Sequence, residues 1–377
     1  MFCYNHIERG GGKTKQLRVI IATPPPGPSG GIQYYYDVIR RRFNVEVDYA
    51  YRGSLQSESS MLCTVLRLLD GYAAFTKLLL RNNYDIVHIN TSLGHKGVLR
   101  DSVYILIGKL FLKKIVVFVR GWDPDFNTNV SPIIFSIFKR LYFGADCLIV
   151  LGHKIKETME GWGCKHRIFV ETTIVDDGLL RGFDIEAKLV SLSKYHCTNI
   201  LFLARVEKDK GIYEAIDAFE LLSLTNKNIK LNIAGNGSEL VNAKLYAETK
   251  KLTRIFFLGY VREQDKIDAF KTADIYILPS YHEGMPNSLL EAMAFGLPVI
   301  TRPVGGIVDF FENGKMGFMT ESRSPEVFAN LIEKLISDTE LRNKMALYNF
   351  QFARKRFLAS EVVKRLEKIY QDTLDAR

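Results

Sequence analysis

The sequence predicts an α/β protein with two successive domains, each built on a parallel sheet covered by helices on both faces. Short runs rich in valine and isoleucine alternate with longer segments of helical periodicity. These runs are almost continuously apolar, as expected for strands that are buried on both faces. The alternation also stops after residue 173 and restarts at residue 199. The length of 377 residues suits two domains of about 150–190 residues each.

The first series contains six predicted strands. They are LRVIIAT (17–23), VEVDYA (45–50), DIVHIN (85–90), KIVVFVRG (114–121), CLIVLG (147–152) and IFVETT (168–173). Segments with helical periodicity lie between them, at 32–42, 62–80 and 133–143 among others. Residues 1–16 lack the apolar region of a secretory signal, and we expect them to be a disordered lead-in. The first domain is therefore predicted over residues 17–185.

The second series contains five predicted strands and ends in helices. The strands are NILFLAR (199–205), KLNIAG (230–235), RIFFLGYV (254–261), DIYILPS (274–280) and PVITRP (298–303). The polar region 174–198 has no clear strand and predicts a linker, whereas the pattern after residue 324 is purely helical. We therefore predict a second domain over residues 195–350 and a final helical segment over residues 351–377.

The composition excludes several classes of protein. The hydrophobic share of 47% and the charged share of 25% are those of a globular chain, and no apolar run reaches the roughly 18–20 residues of a membrane span. The 5 cysteines and 7 histidines are scattered, without paired metal-ligand spacing. We therefore expect reduced thiols, a cytoplasmic location, no metal site and no cofactor.

The basic charge is concentrated in the N-terminal half. Residues 1–190 contain 25 lysines and arginines against 18 carboxylates, a net charge of +7 out of +9 for the chain. Nucleic acid would be one partner for such a charge, but no basic and aromatic module is present, and we expect none. An anionic membrane surface is a second partner, and simple solubility is the third explanation. The apolar segment 133–143 could place Ile134, Ile137, Phe138 and Leu141 against lipid or in the core.

Polar and glycine residues follow the predicted strands, where open α/β sheets bind ligands. The loop PPPGPSGGI (24–32) places Gly30 and Gly31 before a helix, an arrangement that suits a phosphate or a sugar. It is not GxGxxG, and Asp48 lies inside the second strand rather than at its end. The loop therefore does not indicate a dinucleotide site.

The loop LARVEKDKG (203–211) follows the first strand of the second domain. Arg205 provides a planar fork for phosphate oxygens, and Lys210 a mobile point charge. Together they could neutralise a diphosphate without a metal ion, although taken alone they could equally be two solvated surface cations.

The segment HEGMPNSLLEAMAFGLPVI (282–300) contains two glutamates, Glu283 and Glu291, with seven residues between them. Pro286 and Asn287 predict a helix start, with proline at the first position and asparagine as the cap. The free N–H groups near residues 285–289 form an anion site beside Glu283. A carboxylate in that place suits sugar hydroxyl groups better than phosphate.

These motifs resemble those of retaining glycosyltransferase family 4, which has the GT-B fold. The resemblance rests on the Glu–seven residues–Glu spacing within EGMPNSLLEAMAFGLPVI, supported by shorter motifs in the same order. These are Gly30–Gly31–Ile32, Arg205 with Lys210, GNG at 235–237, GYV at 259–261 and VGGI at 304–307. The match is strongest over about residues 195–340. It implies two Rossmann-like domains that face a central cleft, with the last helix crossing back to the N-terminal domain.

The resemblance also implies roles for individual residues. Arg205 and Lys210 would hold the donor diphosphate, and Glu291 the ribose hydroxyl groups. Backbone near Tyr260 and Val261 would contact the base, and Glu283 would lie at the transferred sugar. The full set assigned to the donor is Gly30, Gly31, Arg120, Arg205, Lys210, Gly235, Tyr260, Val261, Glu283, Gly284, Met285, Pro286, Asn287, Ser288, Leu289 and Glu291. Among these, Glu283, Arg205 and Lys210 would be catalytic.

Two positions depart from the family pattern. Arg120, in VFVRGWD, stands where members often have a histidine, and Asp309 is the nearest carboxylate to the place of a usual glutamate after the VGG turn. Arg120 could bind a sugar or an acceptor anion, and Asp309 could be a shorter replacement.

The expected reaction is transfer of a hexose from a nucleoside-diphosphate sugar (UDP- or GDP-sugar) to a glycan or lipid-linked acceptor. Retention by attack on the same face is favoured, because no second carboxylate is evident for a double displacement. A nucleotide-sugar 2-epimerase and a non-catalytic sugar-nucleotide-binding protein are the alternatives. The first would need further acid and base groups, and the complete set of Glu283, Arg205 and Lys210 argues against the second.

Overall fold

A computed structural model of the chain describes residues 17–26, 31–52, 60–121, 126–194 and 197–376. The first half forms a parallel sheet of six strands in the order β2-β1-β3-β4-β5-β6. The strands are β1 (Arg18–Thr23), β2 (Glu46–Tyr51), β3 (Ile86–Ser92), β4 (Lys114–Gly121), β5 (Cys147–Val150) and β6 (Ile168–Val170). The helices are α1 (Gly31–Ile39), α2 (Met61–Arg81), α3 (His95–Leu110), α4 (Phe126–Asn129), α5 (Pro132–Tyr142) and α6 (His153–Gly161).

The second half repeats the architecture with a parallel sheet in the order β12-β11-β10-β7-β8-β9. The strands are β7 (Thr198–Leu203), β8 (Ile229–Ala234), β9 (Ile255–Gly259), β10 (Ile275–Leu278), β11 (Val299–Thr301) and β12 (Gly317–Met319). The helices are α7 (Ile185–Lys194), α8 (Ile212–Thr225), α9 (Leu240–Thr249), α10 (Glu263–Thr272), α11 (Asn287–Ala294), α12 (Pro325–Ser337), α13 (Thr339–Arg356) and α14 (Ala359–Asp375). All eleven predicted strands are present, and β12 is an addition of only three residues.

The last helix joins the two halves. The chain pairs Val175 with Leu358 just before α14 begins, and α14 then packs its apolar face on the N-terminal sheet and α1. Arg365 of α14 binds both carboxylate oxygens of Glu171, which follows β6, at 2.9 Å. The predicted crossing of the C-terminal helix to the N-terminal domain is confirmed.

The carboxyl edges of the two sheets face each other. Tyr34 in α1, after β1, donates a hydrogen bond to Glu291 in α11, after β10, at 3.4 Å. The backbone N–H of His153, after β5, donates to Asp309, after β11, at 2.8 Å. Ligand sites in such sheets lie beyond the carboxyl ends of the strands, so the predicted cleft between the domains is the candidate site.

The apolar segment 133–143 belongs to the core. Phe138 is fully buried, and Ile134 and Leu141 pack against the same cluster. Its apolar stripe therefore stabilises the N-terminal domain rather than facing lipid. Within the described ranges, no helix has both the length and the hydropathy needed to cross a bilayer.

Candidate functional site between the two domains

Lys210 and Glu283 form the centre of the candidate site. The Lys210 ammonium lies 3.0 Å from a Glu283 carboxylate oxygen and donates a second hydrogen bond to the His282 carbonyl at 2.9 Å. Both side chains are nearly buried, 11% and 12% exposed. A buried ion pair with an additional hydrogen bond is held in one geometry, so the positions of the ammonium and carboxylate are fixed before any ligand binds.

The loop after β7 supports this pair by packing against the loop after β10. The Tyr281 N–H and the Ser280 hydroxyl both donate to the Asp209 carbonyl, at 2.8 and 3.1 Å. Gly211 has φ +74°, and a Cβ atom there would overlap the carbonyl group of Pro279. The sequence therefore requires glycine at this position because the backbone is left-handed and the two loops are in contact.

Arg205 does not join Lys210. Its side chain is 64% exposed and pairs with Glu207 at 2.8 Å. Sequence reasoning grouped the two cations because both lie on the loop after β7, but the 3-10 turn Lys208–Lys210 directs only Lys210 inward. Arg205 remains at the rim, where its flexible side chain can reach a bound anion.

The turn after β11 fixes the loop that carries Glu283. The N–H of Gly306 donates to the Gly284 carbonyl at 2.6 Å. Gly305 has φ +58°, and a Cβ atom there would overlap the Glu283 carbonyl oxygen. Met285, partly buried, packs against the core beside this turn. The VGGI motif thus supports the Glu283 loop through direct backbone contact.

The start of α11 differs from the sequence prediction. Asn287 is the first helical residue rather than the cap, and Pro286 precedes it without a side-chain hydrogen bond. The Oδ1 atom of Asn287 is buried and has no hydrogen-bond partner, while the Ser288 hydroxyl accepts from Tyr276 at 2.8 Å. The first N–H groups of a helix have no partner within the helix, so this turn can bind a ligand. Leu289 is fully buried and serves the core.

Glu291 is buried on α11 and has partners that sequence reasoning missed. Lys266 of α10 pairs with its Oε1 atom at 2.6 Å, and Tyr34 approaches the same atom from the opposite domain. Burial raises the pKa of Glu291, and Lys266 opposes that rise. Lys266 lies in an ordinary surface-type helix, EQDKIDAFKT, and carries no motif signal. Glu291 therefore lies at the domain interface beside a cation.

The residues proposed for the base lie along the edge formed by β8 and β9. The N–H of Gly235 donates to the Gly259 carbonyl at 2.7 Å. Tyr260 is exposed and stacks under the Arg262 guanidinium, whose carbon is 4.7 Å from the ring centre. Val261 is partly buried against the core. The edge therefore combines an accessible aromatic ring with backbone groups next to the loop of Arg205.

The N-terminal domain contributes the other wall. Gly30 lies outside the described residues, and Gly31 begins α1 with open space where a Cβ atom would stand. Arg120, at the carboxyl end of β4, places its guanidinium carbon 3.8 Å from the centre of the Tyr35 ring.

His88 is buried and hydrogen-bonded to Tyr370 at 2.7 Å, and burial lowers its pKa to about 3. It is thus a neutral core residue.

No group of three histidine, cysteine or carboxylate side chains that could hold a metal ion occurs in the described part of the chain. Metal-free chemistry remains a prediction, supported by the cations at the site.

Comparisons with known proteins identify relatives in sequence and in fold. Residues 193–352 match the family model described as glycosyl transferases group 1. Over 226 residues, 59% of this chain and 57% of the other, the sequence is 28% identical to the capsular polysaccharide biosynthesis glycosyltransferase CapM of Staphylococcus aureus. It is 25% identical over 305 residues to N-acetyl-alpha-D-glucosaminyl L-malate synthase of Bacillus anthracis, covering 78% of this chain and 76% of that protein.

The structural comparison covers nearly the whole chain. HepE of Anabaena, solved in complex with UDP, superposes with a TM-score of 0.72 over 94% of this chain and 100% of its own, at 17% identity. At this identity the likeness establishes the fold. The alignment with CapM spans a little over half of that relative's length. Residues 193–352 are therefore similar to the glycosyl transferases group 1 family, and the chain as a whole has the GT-B fold.

Proposed function

We propose that this protein is a retaining glycosyltransferase that moves a hexose from a nucleoside-diphosphate sugar, with UDP or GDP as the carrier, to a glycan or lipid-linked acceptor. The observation that carries the proposal is the ion pair of Lys210 and Glu283 in the cleft, beside the first turn of α11. In the proposed reaction, the ammonium of this pair would face the leaving diphosphate and the carboxylate would face the sugar. The likeness to CapM supports a role in cell-surface polysaccharide or glycolipid synthesis.

Lys210 would stabilise the leaving group. As the bond between the anomeric carbon and the diphosphate oxygen breaks, negative charge grows on the diphosphate, and preorganised positive groups lower the energy of that state. The ammonium is already fixed by Glu283 and the His282 carbonyl, so little reorganisation accompanies the reaction. Arg205 would add a second cation from the rim, and the N–H groups at the start of α11 would add partial positive charge.

Retention would follow from attack on the face that the diphosphate leaves. The acceptor hydroxyl oxygen forms the new bond to the anomeric carbon while the bond to the diphosphate breaks. The acceptor proton passes to the departing phosphate oxygen, so no enzyme base is needed. Glu283 would stabilise the positive charge that develops on the sugar, because a carboxylate next to an oxocarbenium-like centre acts electrostatically. The contacts of Tyr34 and His153 across the cleft would exclude water.

Product analysis with labelled donors tests the proposal. The full-length protein is incubated with UDP- and GDP-linked hexoses, with and without lipid-linked acceptors, and the anomeric configuration of the product is read by NMR. Transfer with retention is expected. Release of an isomerised sugar would indicate an epimerase, and binding without turnover would indicate a sugar-nucleotide-binding protein.

We further expect activity without a metal ion, in a cytoplasmic protein. Lys210 and Arg205 supply the positive charge that Mg²⁺ or Mn²⁺ supplies in metal-dependent transferases. Turnover measured after dialysis against EDTA should therefore equal that of the untreated protein. Loss of turnover that Mn²⁺ restores would reject the metal-free mechanism.

A further inference from the structure

Arg120 lies at the carboxyl end of β4, and none of the described residues forms an ion pair with its guanidinium. Its Nε and Nη1 atoms are buried, and neither has a hydrogen-bond partner in the described structure. The group is flanked by the Tyr35 ring at 3.8 Å and the Phe118 ring at 4.8 Å. Burial lowers its pKa, yet an arginine remains charged at neutral pH. A stack on aromatic rings offsets only part of the cost of removing this charge from water.

Two other arginines of the same region show how the chain normally compensates such a charge. Arg52, after β2, is 5% exposed and pairs with the fully buried Asp101 at 3.0 Å. Arg365 binds both oxygens of Glu171, a carboxylate whose charge contributes to the raised pKa of Tyr35. Glu171 is therefore already engaged. Of these three arginines, only Arg120 lacks a carboxylate among the described residues.

Further polar atoms of the N-terminal domain lack partners, and one of them belongs to Tyr35, which contacts Arg120. The Tyr35 hydroxyl, over whose ring Arg120 lies, is buried without a hydrogen bond, and so are the hydroxyls of Thr172 and Thr173 after β6. All of them lie at or next to the carboxyl edge of the N-terminal sheet. Tyr35 also directly follows Tyr34, whose hydroxyl reaches Glu291 across the cleft. Buried polar groups normally have partners, so this set indicates a ligand with several oxygen atoms.

We propose that Arg120 is the receptor for an oxyanion of the substrate, a carboxylate or a phosphate, and hence that one substrate of this enzyme is acidic. The planar guanidinium matches either group through two parallel hydrogen bonds, and the Tyr35 hydroxyl would bind a remaining oxygen. The inference rests on the proposed transferase function. Two sources share this chemistry: a uronic acid as the donor sugar, and an acceptor that carries a phosphate or a uronic acid.

Matched pairs of substrates separate the two sources. In the first arm, UDP- and GDP-linked glucose are compared with the corresponding glucuronic acid donors, by calorimetric binding and by turnover. In the second arm, a neutral oligosaccharide acceptor is compared with the same acceptor bearing a phosphate or a uronic acid. The proteins are wild type, Arg120→Gln and Arg120→Lys. Arg140→Gln is the control, since Arg140 is exposed on α5 of the same domain.

Wild type should prefer the acidic member in one arm. Arg120→Gln should lower kcat/KM for that member by about 10- to 100-fold more than for the neutral member, the effect of a lost charged hydrogen bond. Arg120→Lys, which keeps the charge, should recover part of the loss, and the control should behave as wild type.

An equal loss for acidic and neutral members in Arg120→Gln, or a wild-type preference for the neutral member in both arms, would overturn the inference while leaving the transferase function intact. Absence of nucleotide-sugar binding and turnover in wild type would instead remove the function, and the inference with it. Thermal unfolding of Arg120→Gln and Arg120→Lys identifies a folding defect. Where Arg120→Gln is destabilised, the ratio of kcat/KM for acidic and neutral substrates in Arg120→Lys provides the test.

Discussion

At the scale of single residues, burial ranks the two candidate cations of the diphosphate site. Lys210 is nearly buried beside Glu283, whereas Arg205 is exposed at the rim. A charged hydrogen bond contributes more where water is excluded. We therefore expect Lys210→Ala to lower kcat/KM by about 100-fold and Arg205→Ala by about 10-fold. Steady-state kinetics with a saturating acceptor provide the measurement.

Lys344→Ala is the matched control for this pair of variants. Lys344 is exposed on α13, and its removal changes the net charge by the same amount. Its kinetics should be those of wild type. Wild-type turnover in both Lys210→Ala and Arg205→Ala would show that the diphosphate binds elsewhere.

Substitutions of Glu283 and Glu291 should change different kinetic parameters. Glu283 would lie where positive charge develops during the reaction, so Glu283→Gln should mainly lower kcat, by about 100-fold or more. Glu291 would contact the ribose, which is remote from the breaking bond, so Glu291→Gln should mainly raise the donor KM. Glutamine keeps one acceptor oxygen for Lys266 and Tyr34, so the fold should survive, as a thermal unfolding scan can establish. A collapse of kcat in Glu291→Gln with normal Glu283→Gln would reverse the roles.

Sequence reasoning found Glu283 and Glu291 but not what surrounds Glu291. The two glutamates lie in one short segment, and their spacing is visible in a single chain. Tyr34 is 257 residues away from Glu291, and Lys266 sits in a helix with no distinctive composition. Contacts across domains are set by tertiary packing, which local patterns do not encode. The predicted cap of α11 was wrong for a related reason, because the helix begins at Asn287, one residue earlier than an asparagine cap at this position implies.

At the scale of elements, the linker helix α7 is attached to the C-terminal domain by one buried lysine. The Lys188 ammonium donates to the carbonyl groups of Phe270 and Phe295, both at 2.9 Å. These carbonyls lie at the carboxyl ends of α10 and α11, where a cation is favoured. Even so, burial lowers the pKa of Lys188 to about 7, with Asp274 opposing the shift.

This lowered pKa predicts a pH-dependent stability. Between pH 7 and about 10 the unfolded chain binds a proton on Lys188 that the folded chain does not. The free energy of unfolding contributed by this group should therefore rise with pH in that window, by up to about 1.4 kcal/mol per unit. Urea unfolding of wild type and Lys188→Met at pH 7.5, 8.5 and 9.5 measures the difference. A constant difference across this range would contradict the lowered pKa.

The apolar runs predicted the strands well because buried parallel strands need continuous hydrophobic residues. The same reasoning missed β12, because three residues are too few to show a period. It also missed α7, because residues 174–198 are polar enough to be interpreted as a linker. Both additions depend on neighbours: β12 completes the edge beside β11, and α7 is ordered through Lys188.

At the scale of the molecule, the N-terminal domain, which carries most of the positive charge, also has an exposed apolar face. The first turns of α2 in the N-terminal domain expose Leu62 (68%), Val65 (43%), Leu66 (57%) and Leu69 (58%). These residues follow the spacing i, i+3, i+4, i+7 and so share one side of the helix. Lys77 and Arg81 are exposed further along α2. The sequence predicted contact with anionic membranes from charge, and it left the apolar stripe of segment 133–143 open between lipid and the core, where Phe138 is now found.

We therefore propose that α2 docks the protein on anionic lipid, with the leucines in the interface and the basic residues at the headgroups. Replacing Leu62, Leu66 and Leu69 by serine should weaken binding to anionic vesicles by roughly 100-fold, because each exposed leucine contributes on the order of 1 kcal/mol when buried. Leu224→Ser is the control, since Leu224 is 70% exposed in the C-terminal domain. Wild-type binding should fall as salt screens the charges. Equal weak binding of wild type to anionic and neutral vesicles in co-sedimentation would remove the membrane proposal.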